Sequence, residues 1–249
     1  MSSTPLVEVS GLTKSYGAKR AIDEVDLVVP AGSVHGLIGP NGAGKTTLSA
    51  CISGELPATR GKVLYRGQDI TRLSPTRRAR RGIGRSFQVS HIFAELTVAE
   101  NVAVAAQGTT LRPLKAMFGR RWVTDDDSLR AVGLDDRRAE LAANLAQADR
   151  KRLELAMVIA SSPDLVILDE PTAGMGAGEA VECAELLGRI SKERGTTMII
   201  TEHNMSVMFH LADQITVLDQ GRVVMSGDPQ AVRSDERLKT IYFGEMAGA

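Results

Sequence analysis

Short apolar runs bounded by turn residues alternate with segments of helical period along much of the chain. Val25-Asp26-Leu27-Val28-Val29 and Val34-His35-Gly36-Leu37-Ile38 are rich in β-branched residues, and Pro30-Ala31-Gly32 between them is a turn signal, so the pattern predicts two strands. Past Gly44 the apolar positions become Leu48, Cys51 and Ile52, one face of a helix that Gly54 and Pro57 bring to an end. Strand, glycine-containing loop and helix thus follow one another. Leu165-Val166-Ile167-Leu168, after Pro163, is apolar at every position, as expected of a parallel strand covered on both faces. Thr197-Met198-Ile199-Ile200 and Ile215-Thr216-Val217-Leu218 read as further strands. Before them, Val181, Ala184, Leu187 and Ile190 keep helical spacing, and the alternation predicts an α/β core.

From about His91 to Ser162 the chain lacks clear strands and is rich in Ala, Leu, Arg and Asp at helical periods. This stretch predicts an inserted α-helical subdomain, 91–162, in a core formed by 1–90 and 163–249. Its least regular part, Gly108 to Asp127, holds Pro113, Arg120-Arg121 and Trp122 and reads as a loop with one short helix. No internal repeat or low-complexity segment is visible.

A chain of 249 residues suffices for one large α/β domain, or a core with a small subdomain. Lys+Arg and Asp+Glu each number 30, so no global field draws the chain to nucleic acid or an anionic bilayer; a polyanion must be held locally. Cys51 and Cys183 sit among Ala and Leu in helix-like contexts, which suits buried thiols in a reducing compartment and argues against a disulfide or zinc site. Met1-Ser2-Ser3-Thr4-Pro5 does not read as a secretory signal, and nowhere do 18 apolar residues run together. The expectation is a soluble, cytosolic chain. Arg77-Arg78 and Arg80-Arg81 read as a solvated helix face in preference to a nucleic-acid patch, and Asp125-Asp126-Asp127 as a helix start, where negative charge suits the dipole.

The chemistry begins at Gly39-Pro40-Asn41-Gly42-Ala43-Gly44-Lys45-Thr46, which matches the phosphate-binding pattern G-x-x-x-x-G-K-[ST] in the strand-to-helix context it requires. Backbone N–H groups wrap phosphates there, the helix start adds its positive dipole end, and Gly42 and Gly44 leave room for close backbone approach. Lys45 is placed to neutralise the β- and γ-phosphates, and Thr46 to ligate Mg2+; the bland alternative is an ordinary glycine-rich turn. Leu168-Asp169-Glu170 ends an apolar strand in two acids, where an open parallel sheet presents its ligand site. Asp169 is placed to hold Mg2+, and Glu170 to polarise a water for attack on the γ-phosphate, unless the pair only caps the loop before Pro171.

With these segments the chain resembles the ATPases of ABC transporters over essentially its whole length. The resemblance implies a P-loop NTPase core with an N-terminal antiparallel β portion, and it implies ATP, with Mg2+, as the bound species. It assigns Tyr16, in Leu12-Thr13-Lys14-Ser15-Tyr16-Gly17, to stacking on adenine, the alternative being a strand-end core Tyr. Thr47 joins the nucleotide contacts. Gln88, in Gly84-Arg85-Ser86-Phe87-Gln88, matches the glutamine that approaches Mg2+ and links the site to the transmembrane partner. His203, in Glu202-His203-Asn204-Met205, is similar to the histidine that contacts γ-phosphate, against a structural role. Within the family, Arg85-Ser86-Phe87-Gln88, Leu96-Thr97-Val98-Ala99-Glu100-Asn101-Val102, Asp169-Glu170-Pro171-Thr172-Ala173-Gly174-Met175, Glu202-His203-Asn204-Met205 and Ile241-Tyr242-Phe243-Gly244-Glu245 look most like ATPases of branched-chain amino acid importers and their urea or amide relatives. The same ending occurs in lipopolysaccharide-export ATPases.

One segment departs from the family. Its Leu-Ser-Gly-Gly-Gln signature, which closes over the nucleotide of a second subunit packed head to tail, falls on Leu145-Ala146-Gln147-Ala148-Asp149. Ala148 adds a methyl group where glycine allows close approach, and Asp149 sets a carboxylate beside phosphates, unless it serves its own helix start. Position 176, often Asp or Asn in the family, is Gly176. The resemblance implies a membrane-associated motor with transmembrane permease subunits, a second ATPase subunit, identical or different, and a solute-binding protein engaged indirectly; no nucleic-acid partner is expected. Coupling would run through the segment around Gln88 and Phe93. The alternatives are a lipid-export ATPase, a soluble ABC protein of translation or DNA repair, and a binding-only subunit.

Overall fold

Alternating burial along the N-terminal segment makes an antiparallel sheet of residues whose inward faces are apolar. The computed structural model describes residues 5–85, 92–107 and 126–243. In chain order the strands are β1 (Pro5–Tyr16), β2 (Lys19–Pro30), β3 (Val34–Ile38), β4 (Arg60–Tyr65), β5 (Gln68–Asp69), β6 (Ile83–Arg85), β7 (Leu165–Asp169), β8 (Thr197–Thr201), β9 (Gln214–Asp219) and β10 (Arg222–Gly227). The helices are α1 (Lys45–Ser53), α2 (Pro75–Ala79), α3 (Val98–Gln107), α4 (Asp126–Val132), α5 (Gln147–Ile159), α6 (Ala177–Arg194), α7 (Met205–Leu211), α8 (Pro229–Ser234) and α9 (Glu236–Phe243). Residues 1–78 with 167–249 form one compact unit and 79–166 a second.

In the first unit a four-stranded antiparallel sheet runs in the order β2-β1-β4-β5. Val25, Leu27 and Val29 of β2 are buried while Glu24, Asp26 and Val28 face solvent, the period-2 pattern of a sheet covered on one side. The other sheet places β3 between β8 and β9, parallel to both, with β10 antiparallel at the β9 edge and β7 beyond β8. All five residues of β3, β7 and β8 are buried, as continuous apolar runs require. His35 lies in this interior, where its Nε2 meets Thr216 Oγ1 at 2.8 Å, and desolvation pushes its pKa down to about 4, so the ring is neutral at pH 7.

Helix α1 follows β3 and stops where the sequence says it should. Gly54 takes φ 86°, a left-handed conformation suited to glycine, and donates its N–H to Ala50 O at 3.0 Å. Its remaining carbonyls are met by a residue that the charge pattern assigned to a solvated face. Arg78 is 2% exposed, and its guanidinium donates to Cys51 O (2.8 Å), Ile52 O (2.6 Å), Thr71 O (2.9 Å) and Leu73 O (3.1 Å). The basic-cluster reading is therefore corrected at Arg78: it is an interior cation at the negative end of the α1 dipole, satisfying orphan carbonyls.

The second unit packs α3, α4 and α5 on one another, with β6 beside the opening of β7 through Leu165 N–H to Gly82 O at 3.0 Å. Thr97 and Glu100 make a reciprocal capping box at the start of α3, with Thr97 N–H to Glu100 Oε2 at 2.8 Å and Glu100 N–H to Thr97 Oγ1 at 3.2 Å. Asn101, fully buried, accepts the Phe93 N–H at 2.7 Å and donates to the carbonyls of Phe93, Leu96 and Thr97. Asp126 and Asp127 occupy the first turn of α4, as the acidic run predicts. Asp125, Trp122 and most of the irregular 108–127 stretch lie outside the described residues, as do Met1 to Thr4, Ser86, Phe87, Gln88, Gly244 and Glu245. Among the described residues no helix is long and apolar enough to cross a membrane.

Replacing the buried cation tests its role. Arg78→Met strands four carbonyls in the interior, and urea denaturation is expected to show a loss of about 3–5 kcal/mol, against a few tenths for Arg77→Met on the solvent side.

Candidate functional site at the carboxyl ends of the parallel strands

The sequence places glycines where β3 turns into α1, and the backbone there needs them for different reasons. Gly39 adopts φ 149°, and a Cβ on it would lie 2.1 Å from Leu218 O at the end of β9. At Gly44, φ 104°, a Cβ would meet Ala21 O at 2.6 Å. Gly42 has no protein atom near enough to meet a Cβ, so within the chain its φ of 80° and not packing asks for glycine there. Pro40 and Ala43 are buried, Asn41 and Thr46 are exposed and Thr47 is half-buried. Gly44 is the N-cap of α1 and offers no side-chain cap, which leaves the helix start to an external acceptor. Lys45 is buried, and its Nζ donates to Gly39 O (2.5 Å) and Pro40 O (3.0 Å), so the ammonium lies within the curl of the loop. Burial pushes its pKa down, opposed by the negative charge of Glu170.

Glu170 and His203 come from different strand ends and meet. Glu170, directly after β7, is one of few non-glycine residues with positive φ, 50°, in a region that costs of order 1 kcal/mol and gathers at functional sites. Its N–H is held by Thr201 O at 2.9 Å, and its Oε1 lies 2.9 Å from His203 Nε2. Asp169, 5% exposed, accepts from Thr201 Oγ1 at 3.2 Å. The described part of this constellation thus contains a cation, two carboxylates, an imidazole, an exposed threonine hydroxyl and an uncapped helix start. Phosphate needs the cation and N–H groups, a hard divalent ion needs the oxygens, and water activation needs a carboxylate oriented by a partner.

Glu202 is a residue whose part was not read from the sequence. It is 3% exposed, and one carboxylate oxygen accepts from Thr172 N–H (2.8 Å) and Thr172 Oγ1 (2.6 Å) while the other accepts from His203 N–H (3.1 Å). It bolts the loop after β8 to the loop after β7, and so fixes His203 against Glu170. The signal was present as an acid set between a buried strand and a histidine. Tyr16 ends β1 with 52% of its surface exposed and Lys14 Nζ 5.0 Å above its ring, so the strand-end core alternative is excluded. Gln88 lies outside the described residues.

In the second unit, Leu145 is buried and Ala146 is the N-cap of α5, without a side-chain cap. Gln147, Ala148 and Asp149 form the first turn. The Asp149 carboxylate is bound by Arg137, which also pairs with Glu140 at 2.7 Å, and faces Arg152 at 3.6 Å. Asp149 thus lies in the first turn of α5 without a capping hydrogen bond, and its carboxylate joins a local ion cluster. Gly176 is the N-cap of α6, and the Glu179 carboxylate accepts its N–H at 3.0 Å.

Comparison with known proteins gives this geometry its class. The family described as ABC transporter matches residues 22–173. The chain is 35% identical over 253 residues to the high-affinity branched-chain amino acid transport ATP-binding protein LivG of Escherichia coli, covering 98% of this chain and 99% of that one. To BraF of Pseudomonas aeruginosa, named for the same transport, it is 32% identical over 98% of this chain and 99% of the relative. To the lipopolysaccharide export system ATP-binding protein LptB of Haemophilus influenzae it is 32% identical over 97% and 98%. Of solved structures, the ADP conformation of an ATP-binding cassette of an ABC transporter superposes with a TM-score of 0.86 at 28% identity, over 97% of this chain and all of that one. The chain belongs to the ABC transporter ATP-binding family: it is a nucleotide-binding, ATP-hydrolysing subunit of a transporter.

The two kinds of glycine can be told apart. Gly42→Ala is expected to fold with a loss of about 1–2 kcal/mol, from strain at positive φ, whereas Gly44→Ala, which also collides with backbone, is expected to lose at least twice that in urea denaturation.

Proposed function

We propose that the Gly39–Thr46 loop and the Asp169-Glu170 strand end hold one Mg-ATP, and that its hydrolysis drives import of branched-chain amino acids or related amides such as urea through permease subunits. The observation that carries this reading is the 2.9 Å contact of His203 with Glu170, at the ends of two strands beside the loop that buries Lys45. Lys45 and the helix start bind the β- and γ-phosphates, Thr46 and Asp169 supply oxygens for Mg2+, and Tyr16 offers its exposed ring to adenine. Mg2+, once bound, neutralises phosphate charge. Glu170 takes the proton of the attacking water and His203 orients it. Gln88 is assigned to the same site by family resemblance.

The names of LivG and BraF support the solute class, and the LptB likeness keeps lipid export as the second reading. Work of this kind is done at the cytoplasmic face of a membrane. Phe93, 49% exposed and held in place by the buried Asn101, supports docking on the permease through the segment around Gln88 and Phe93. A second ATPase subunit would pack head to tail, with residues Leu145–Asp149 of this chain against its nucleotide. Ala148 and the carboxylate of Asp149 suit that task poorly, so this chain favours a different partner that carries an intact signature.

Two measurements test these statements. Glu170→Gln is expected to cut ATP turnover of the assembled transporter by ~10²-fold or more while nucleotide still binds; unchanged turnover contradicts the base assignment. Ala148→Gly with Asp149→Gln is expected to raise turnover several-fold, and no change removes the idea of a handicapped signature.

A further inference from the structure

The nucleotide loop does not stand alone. It leans on two pieces of backbone from distant sequence, residues 21–23 of β2 and the turn Gln220-Gly221 between β9 and β10. Both turn residues have positive φ, 46° and 81°, the signature of a two-residue hairpin turn of the type that glycine favours. Gly221 donates its N–H to Ala43 O in the nucleotide loop at 3.0 Å, and its own carbonyl accepts the Asp23 N–H at 2.8 Å. The carbonyl of Ala21 is wedged between two glycines: a Cβ would come within 2.6 Å of it from Gly44 and 2.9 Å from Gly221. No side chain can enter this contact, so loop, strand and turn touch backbone to backbone.

The turn is then closed by charge. Asp23 is 7% exposed, and its Oδ2 accepts from Arg222 Nη2 (2.6 Å) and Nε (3.1 Å), while Oδ1 accepts from Arg20 Nη1 (2.7 Å). One residue thus grips both the turn and the start of β10, Gly221 through its N–H and Arg222 through its carboxylate. The guanidinium of Arg222, with that of Arg20, holds the Asp23 carboxyl below its usual range.

We infer that Asp23 and Arg222 form a clasp that positions the nucleotide loop, making them positioning residues for ATP binding although neither belongs to the loop. The inference rests on the reading that Gly39–Thr46 holds the phosphates. The physical ground is preorganisation: N–H groups bind phosphate well only when the loop already has its curled shape, and a looser loop spends less of its time in that shape. Ala43 O is anchored to the turn, so release of the turn frees the loop one residue before Gly44.

The test uses Arg222→Ala, whose side chain is 69% exposed and whose loss leaves the interior packed, and Asp23→Asn, which keeps the N–H bond to Gly221. Arg222→Lys keeps the charge, and Asp235→Asn, which removes an ion pair to Arg237 on α9, serves as the control. Titration of each purified full chain with Mg-trinitrophenyl-ATP is expected to show the dissociation constant raised at least about fivefold in Arg222→Ala and Asp23→Asn and within about twofold of the parent in Arg222→Lys and Asp235→Asn. The urea midpoint should stay near that of the parent, and turnover of the assembled transporter at saturating ATP should fall by less than about twofold, since the chemical groups are untouched. Parent-like affinity in Arg222→Ala, or an affinity loss matched by an equal loss of stability in Asp23→Asn and Arg222→Ala alike, overturns the clasp. Failure of the parent chain itself to bind the probe overturns the phosphate-loop reading on which the clasp rests.

Discussion

The loop from Gly39 to Thr46 is set so closely against neighbouring backbone that side chains are barred at two of its positions, and this packing constraint governs the site. Gly39 presses on the carbonyl of Leu218 and Gly44 on that of Ala21, contacts that a methyl group would abolish. Once the loop is set this tightly, the one long side chain it contains, Lys45, curls back over it and donates to Gly39 and Pro40 carbonyls. Those two bonds hold the ammonium within the curl of the loop, which under the proposed phosphate-binding reading leaves little reorganisation for the bound state.

The same logic extends to the strand ends. β3, β8 and β7 are neighbours in order, so their carboxyl ends deliver the phosphate loop, His203 and Asp169-Glu170 to one edge of the sheet. The left-handed Glu170 and the buried Glu202 bridge show what such delivery costs: a strained residue held by Thr201 of β8 and a buried carboxylate satisfied by Thr172 in the loop after β7. Fold and chemistry are therefore coupled through backbone position more than through any single side chain.

Much of this was legible in the chain because the residues concerned obey local rules. The apolar runs of β3, β7, β8 and β9, the helix that Gly54 ends and the acidic start of α4 follow from periodicity and capping alone. The long hairpin of β1 and β2 was only partly legible, since alternation over Glu24 to Val29 marks β2 while β1 is broken by register shifts around Gly11. Arg78 was misread because its neighbours Arg77, Arg80 and Arg81 make it look like part of a solvated face; its acceptors at residues 51, 52, 71 and 73 belong to an α1 end and loop that charge pattern does not place. Glu202, Asp23 and Arg222 escaped for the same reason, as the contacts that define their parts, Glu202 with Thr172 and Asp23 with Arg222, span 30 and 199 residues.

The central claim is that the Gly39–Thr46 loop and the Asp169-Glu170 strand end share a single magnesium-bound triphosphate. Calorimetric titration of the folded chain with ATP, with and without Mg2+, tests it most directly. The account predicts saturable binding at one site per chain that Mg2+ strengthens and that Lys45→Ala weakens at least about tenfold; no heat of binding at millimolar Mg-ATP would contradict it.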